Sequence, residues 1–388
     1  MKYDFDKIID RKNSNCLKWD TVEEGVLPMW VADMDFAIAD PILMALKKRL
    51  EHPVFGYGIT PGNYYDIAAK WVERRHGFKP EEQWFSHCPG VVPGLHFLAQ
   101  CMVKPGDRII MLTPVYYPFF EAAQRNGIGV SASQLIYRNQ RYEIDFDDFE
   151  KKAKEPEVKM FYFCSPHNPG GRLWTREEIE RLGMICIENG IIIVSDEIHS
   201  DLLMPGERHI VTASVSREIS DNSITFIAPS KTFNLAGLQT SLIMIPNPSL
   251  KDIFDRFIAR LGIKRPNVFG ISALMASYEY GDEWLDQLLI YLKNNVECVK
   301  EYLSEHIPEA KMMIPQAGYL VWIDFSGLKL DPKEFHEALL KTGKIWLDEG
   351  YMFGEPGYGF ERINVACPRS VLIDGLKRIK KTIDYLRK

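Results

Sequence analysis

Four short apolar runs, each handing over to polar or aromatic residues, constrain this chain more than any other feature. Arg108-Ile109-Ile110-Met111-Leu112 leads into Pro114-Val115-Tyr116-Tyr117-Pro118, and Val158 to Cys164 leads into Ser165-Pro166-His167-Asn168-Pro169-Gly170-Gly171. Ile191 to Val194 leads into Ser195-Asp196-Glu197-Ile198-His199, and Ile224 to Ala228 leads into Pro229-Ser230-Lys231. Continuous apolar runs of this length read as strands covered on both faces. Between the second and third lies a helix opened by Thr175, with Glu178 three residues on as a capping box. Strands alternating with helices imply a parallel sheet with right-handed crossovers, an α/β fold. Ligands of open α/β sheets bind beyond the carboxyl ends of the strands. Tyr116, Asn168, Asp196 and Lys231 are therefore expected along one edge.

The flanking segments add donors and walls. Gly90-Val91-Val92 precedes residues with helical spacing (Leu95, Leu98, Ala99, Met102), which puts the Val91 and Val92 N–H groups at a helix start, where anions bind. Tyr57 sits between Gly56 and Gly58 on an exposed turn. A helix is expected from Asp40-Pro41, with Asp40 as N-cap, and another from Tyr65 to His76. The irregular segment Pro28 to Phe36 carries Trp30, Ala32, Asp33 and Asp35 and reads either as a surface strap or as a site wall. Beyond Ile263–Asn267 come long helices (about 268–305), a smaller mixed region and a last helix, Val371 to Leu386.

Composition closes off several classes. With 388 residues, 46% hydrophobic and 26% charged, the chain can bury a large core in two domains. A net charge of −6 with no basic block argues against a nucleic-acid surface, and no stretch suits a membrane span. The acidic N-terminus does not look like a signal peptide, and the seven dispersed cysteines, without C-x-x-C or paired histidines, fit reduced thiols in the cytoplasm and no metal site.

Lys231, past a buried strand, is the residue with the most chemical meaning. A desolvated amine has a depressed pKa and can form a Schiff base. A pyridine aldehyde phosphate needs such a lysine, a carboxylate at its ring nitrogen (Asp196), a donor to its ring hydroxyl (Asn168) and an aromatic cover (Tyr116). Its phosphate could take the Val91 and Val92 N–H groups, the Ser230 hydroxyl and Tyr57. A substrate carboxylate calls for a bidentate cation, and Arg369 is the one assigned here. Each of these has a plainer reading as a cap, turn former, core aromatic or surface cation; only together do they point to a site.

Asn168-Pro169-Gly170, Asp196-Glu197-Ile198-His199, Ser230-Lys231 and the late Arg369 resemble the class I/II aminotransferase superfamily of fold-type I pyridoxal-phosphate enzymes, over nearly the whole chain. The resemblance implies a large cofactor domain on a mostly parallel seven-stranded sheet (residues 48–285). It also implies a small α+β domain drawn from both chain ends (1–47 and 286–388), and a homodimer with shared sites. By it, Tyr57 reaches the neighbouring subunit's phosphate, His199 stands where many members carry tyrosine, and Trp30, Ala32, Asp33 and Tyr117 line the substrate entrance. Gln239 stands eight residues after the lysine, where typical aminotransferases carry arginine. Trp30 to Phe36, Ser230 to Gln239 and Gly359 to Asn364 resemble the cystathionine β-lyase and cystalysin branch. That implies a carbon–sulfur β-lyase in which Lys231 is the base and Lys231, Tyr116 or the partner's Tyr57 the proton donor to the departing sulfur. A transaminase and a cofactor-bearing regulatory protein are the other readings.

Overall fold

The computed structural model describes residues 2–388. Its centre is a seven-stranded sheet: β1 (Phe85–Cys88), β2 (Arg108–Thr113), β3 (Gly129–Gln134), β4 (Val158–Cys164), β5 (Ile192–Asp196), β6 (Ser223–Ile227) and β7 (Ser241–Met244). The spatial order is β1-β7-β6-β5-β4-β2-β3. The pairs β2/β3, β2/β4, β4/β5 and β5/β6 are parallel, and β7 alone runs antiparallel, between β1 and β6. The mostly parallel α/β architecture expected from the four apolar runs is the one observed.

Why those runs are continuously apolar is visible in the pleat. Successive side chains of a strand point to opposite faces. Ile109 and Met111 of β2, with Met160 and Tyr162 of β4, pack on the face covered by α3 (Val91–Met102) through Leu95 and Leu98. Ile110 and Leu112, with Phe161 and Phe163, pack on the other face against α4 (Arg176–Glu188) through Ile179 and Leu182. Thr175 caps α4 with the reciprocal bonds of a capping box, as its spacing with Glu178 predicts.

The helix of the first segment, α1, spans Asp40–Glu51, but its N-cap is Ala39; Asp40 is already the first helical residue and no side chain caps the end. Pro41 supplies the turn geometry that a capping side chain would otherwise favour. The helical stretch after residue 267 is two helices, α6 (Val268–Tyr280) and α7 (Asp282–His306), divided at Gly281, where a Cβ would meet the Phe233 ring 2.3 Å away. Here α2 denotes Tyr64–His76 and α5 the helical turn Pro229–Thr232.

A second, antiparallel sheet joins β8 (Lys311–Met312), β9 (Leu320–Asp324), β10 (Asp348–Glu349) and β11 (Phe360–Asn364) in the order β8-β9-β11-β10. The N-terminal segment is laced into it. Leu27–Pro28 pairs in parallel with Ile345–Trp346, Trp30 stacks on Trp346 at 5.0 Å, and Asn364 donates through Nδ2 to the carbonyls of Val31 and Asp33 at 2.6 Å each. No helix of the described residues is long and apolar enough to cross a membrane.

Candidate active site

The carboxyl ends of β1, β2, β4, β5 and β6 and the start of β7 open onto one cavity of about 260 Å³. Tyr116, Asn168, Asp196, His199, Ser230 and Lys231 all line it, as do Val91, Val92, Ala32 and Gln239. The convergence predicted from four strand ends is therefore a geometric fact.

Lys231 lies in α5, the helical turn that follows β6. Its Nζ donates to the Ala32 carbonyl at 2.6 Å. Burial, with the nearby positive charge of Arg362, pulls its pKa down to about 8, against the opposing pull of Asp33 and Asp196. Asn234 fixes the loop behind it: at φ 58° it adopts the left-handed conformation that asparagine tolerates, and its side chain bonds Met34 N–H and the carbonyls of Met34 and Phe36. The segment from Trp30 to Phe36 is thereby a wall of the site through Ala32.

Asp196 ends β5. Its Oδ1 accepts from Ile198 N–H at 3.1 Å, and burial pushes the carboxyl up to about 7, although Lys231 opposes this. Burial likewise holds His199 neutral, its pKa down to about 3, with Nδ1 lacking a partner. At the far end of the cavity α3 begins at Gly90 with no side-chain cap. Val91 and Val92 present free N–H groups there, and Pro93 presents none. The buried Thr240 hydroxyl, also lining the cavity, lacks a partner.

This donor set fits pyridoxal phosphate. The spare amine, the half-satisfied carboxylate and the unpartnered His199 and Thr240 are polar groups that buried sites normally pair, so the cavity is built for a polar guest. Among the described residues no guanidinium lies at its anion end: Gln239, at φ 45°, occupies the place eight residues after Lys231.

The other assignments fare differently. Arg369 does not reach the cavity: its Nε bonds Asn295 Oδ1 at 2.8 Å and its N–H bonds the Tyr291 hydroxyl, as the first residue of the last helix, α8 (Arg369–Leu386). The cation beside the cavity is Arg362 of β11, bonded from Nη1 to Asn168 Oδ1 at 2.9 Å and from Nη2 to the Trp30 carbonyl at 3.1 Å. Arg362 stands in a strand, Phe360 to Asn364, that is buried throughout, and its polar neighbours Glu361 and Asn364 give no local sign of that burial. Trp30, Asp33 and Tyr117 stand one layer back. Asp33 is tied to Arg11 at 2.8 Å, and Tyr117 packs on Tyr116 and Phe353. Tyr57 is fully exposed and outside this chain's own cavity. Cys164, which the sequence left without a role, lines the cavity, its Sγ accepting from Asn168 N–H at 3.3 Å.

A strand-end lysine and carboxylate facing one cavity across a mostly parallel sheet define the pyridoxal-phosphate fold in which the cofactor is held as an imine. The chain belongs to the aminotransferase class I and II family, whose model matches residues 55–379, and within it to the carbon–sulfur lyase branch. Among its relatives, cystathionine beta-lyase PatB of Bacillus subtilis (strain 168) is 42% identical over 384 residues, 98% of this chain and 99% of PatB. Protein MalY of Escherichia coli (strain K12) is 33% identical, covering 99% of this chain and 100% of MalY. Cystalysin from Treponema denticola, whose crystal structure contains pyridoxal 5'-phosphate, superposes with a TM-score of 0.96 over the full length of both chains at 38% identity.

Proposed function

We propose that this protein is a pyridoxal-phosphate-dependent carbon–sulfur β-lyase that converts cystathionine or related sulfur amino acids to a thiol, pyruvate and ammonia. The observation that carries the reading is Lys231 and Asp196 facing one cavity whose anion end has neutral donors in place of the usual arginine. The likeness to PatB and cystalysin supports it. When bound, pyridoxal phosphate supplies an electron sink for the charge left as Cα loses its proton.

The residues divide the remaining work. Lys231, with its pKa near 8, can take and return a proton at Cα close to neutral pH. Asp196, whose Oδ1 already accepts from Ile198 N–H, would accept a hydrogen bond from the ring N–H as well, which would favour its ionised form. Asn168 would donate to the ring hydroxyl and Tyr116 would cover the ring, both from the cavity wall. Burial raises the Tyr116 pKa, so its hydroxyl stays protonated, and Lys231, which carries the proton taken from Cα, is the acid better matched to the departing sulfur. The Val91 and Val92 N–H groups, Ser230 and Thr240 would hold the phosphate. Arg362 takes the α-carboxylate. Arg362→Ala is expected to lower kcat/KM by roughly 10- to 100-fold, the worth of a charged hydrogen bond, and steady-state kinetics read it directly.

Pyruvate release from cystathionine, cysteine and cystine without added keto acid tests the activity. Strict dependence on a keto acid would instead identify a transaminase. The amine must be neutral to capture the cofactor aldehyde, so reloading of apoprotein should accelerate as pH rises and level off above about 8. A free lysine would level off only above about 10.

We place the active form as a cytoplasmic homodimer. The turn that holds Tyr57 carries a row of exposed apolar residues, Val54, Phe55, Tyr57 and Ile59, of the kind that mark subunit contacts. In the dimer the partner's Tyr57 would reach the phosphate. Mixing two inactive proteins, Lys231→Ala and Tyr57→Ala, should then restore turnover through hybrids with one intact site. No recovery on subunit exchange would place Tyr57 elsewhere.

A further inference from the structure

The guanidinium of Arg362 has five N–H donors in a fixed fork. Nη1 donates to Asn168 Oδ1, and Nη2 donates both to the Trp30 carbonyl and to the Asp348 carboxylate. Nε is buried with no partner. A carboxylate is held bidentately along one edge of the fork, either Nε with Nη2 or Nη1 with Nη2. Both edges need a hydrogen of Nη2, and both hydrogens of Nη2 are in use. One of the two acceptors must yield before a substrate carboxylate can be gripped at two points.

The Trp30 carbonyl is main chain, beside Met29 N–H bonded to Trp346 O and under a ring stacked on Trp346. Asp348 is a side chain, and it carries the same charge as the incoming group. Strand register sets it opposite Arg362, and the two side chains are 4% and 2% exposed. The pair is neutral and dry, so a third unit charge placed against it would be a second carboxylate beside the first. Two carboxylates sharing such a site do not both stay ionised. We infer that binding of the substrate α-carboxylate at Arg362 is coupled to uptake of one proton by Asp348, which changes from an acceptor of Nη2 to a donor toward the substrate. This rests on the assignment of Arg362 made under the proposed function.

The surroundings favour the change. Burial and Glu349 raise the Asp348 pKa, while Arg362 and His336 lower it, and the net direction is upward. Tyr116 and Tyr117 face it as neutral phenols. Glu349 and Glu361 flank His336 at 2.6 and 3.0 Å. They neighbour Asp348 and Arg362 in sequence, so the pleat turns them to the opposite face of the sheet, away from the fork. Glu361 is pushed by burial up to about 7, inside the pH span of the test below, so a pH profile by itself does not name the group.

The test uses holoenzyme and 3-(methylthio)propanoate, which has the carboxylate and thioether of a substrate but no amine to react. Calorimetric titration in buffers of different ionisation enthalpy, between about pH 6 and 8, counts the protons. The expected result is one proton taken up per probe bound, with Kd rising roughly tenfold per pH unit. Asp348→Asn should bind the probe with no proton uptake, a Kd independent of pH, and tighter than wild type at the upper end. Binding to wild type without proton uptake overturns the inference, whatever the fate of the variant. Uptake that persists in Asp348→Asn assigns the proton to another group and also overturns it. Probe binding unchanged in Arg362→Ala overturns the carboxylate site itself, and the coupling with it.

Discussion

Lys231→Ala should fold, bind cofactor weakly and lose both the imine absorbance and turnover, the latter by at least about 10⁴-fold. General-base catalysis alone is worth roughly 10²- to 10⁴-fold, and this lysine also provides the covalent tether. The alanine variant removes the hydrogen bond to the Ala32 carbonyl, an acceptor that keeps the Tyr319 hydroxyl at 2.9 Å, so stability should change little. Added primary amines such as ethylamine should restore a measurable part of the rate without restoring the tether. A variant that kept wild-type turnover would sink the whole chemical assignment, because among the described residues no other amine lines the cavity.

Asp35→Ala should give the largest loss of stability, roughly 3–5 kcal/mol by urea or thermal unfolding. Asp35 accepts from Lys18 Nζ at 2.7 Å, Arg11 Nη1 at 2.7 Å and Trp19 Nε1 at 2.8 Å. Lys18 is 1% exposed, and its only other carboxylate, Asp33, lies 3.6 Å away. Removing Asp35 therefore leaves a buried cation short of its counter-charge, whereas an exposed pair would cost little. The double change Lys18→Met with Asp35→Ala should recover much of the loss, since the uncompensated charge goes with the acid. Activity should fall along with stability, because this cluster anchors the segment that carries Ala32 into the cavity.

The parts legible in the sequence are those where local physics decides. Strands covered on both faces have no polar alternation to hide them, so β2, β4, β5 and β6 stood out, and the residues after each had to share an edge. The capping box at Thr175 is equally local. Long-range register is another matter. Choosing between Arg362 and Arg369 depends on which way a strand's side chains face, and both residues lie in the same short stretch. Arg362 pairs across the sheet with Trp322 and Asp348, and nothing in its immediate neighbours announces that. The N-terminal ion cluster was hidden for the same reason: Arg11, Lys18 and Asp35 look like surface charges until the fold buries them. Asp40 shows the limit of cap rules, since a proline at the second position serves the turn without a capping side chain.

The lone antiparallel strand, β7, has a consequence for the cofactor's dimensions. Because it runs back from the edge that β6 reaches, the chain leaves the sheet at Ile227 and re-enters it at Ser241 without crossing to the other side. Lys231 and the pair Gln239-Thr240 are thus two marks on one short arc of main chain, held by Asn234 in between. With the cofactor bound, the arc would act as a gauge: one mark would meet the aldehyde carbon, the other the phosphate. Inserting a single residue between Thr232 and Leu238 should spoil the fit for the cofactor while leaving the sheet intact. Longer or shorter aldehyde phosphates should be sorted by the same interval.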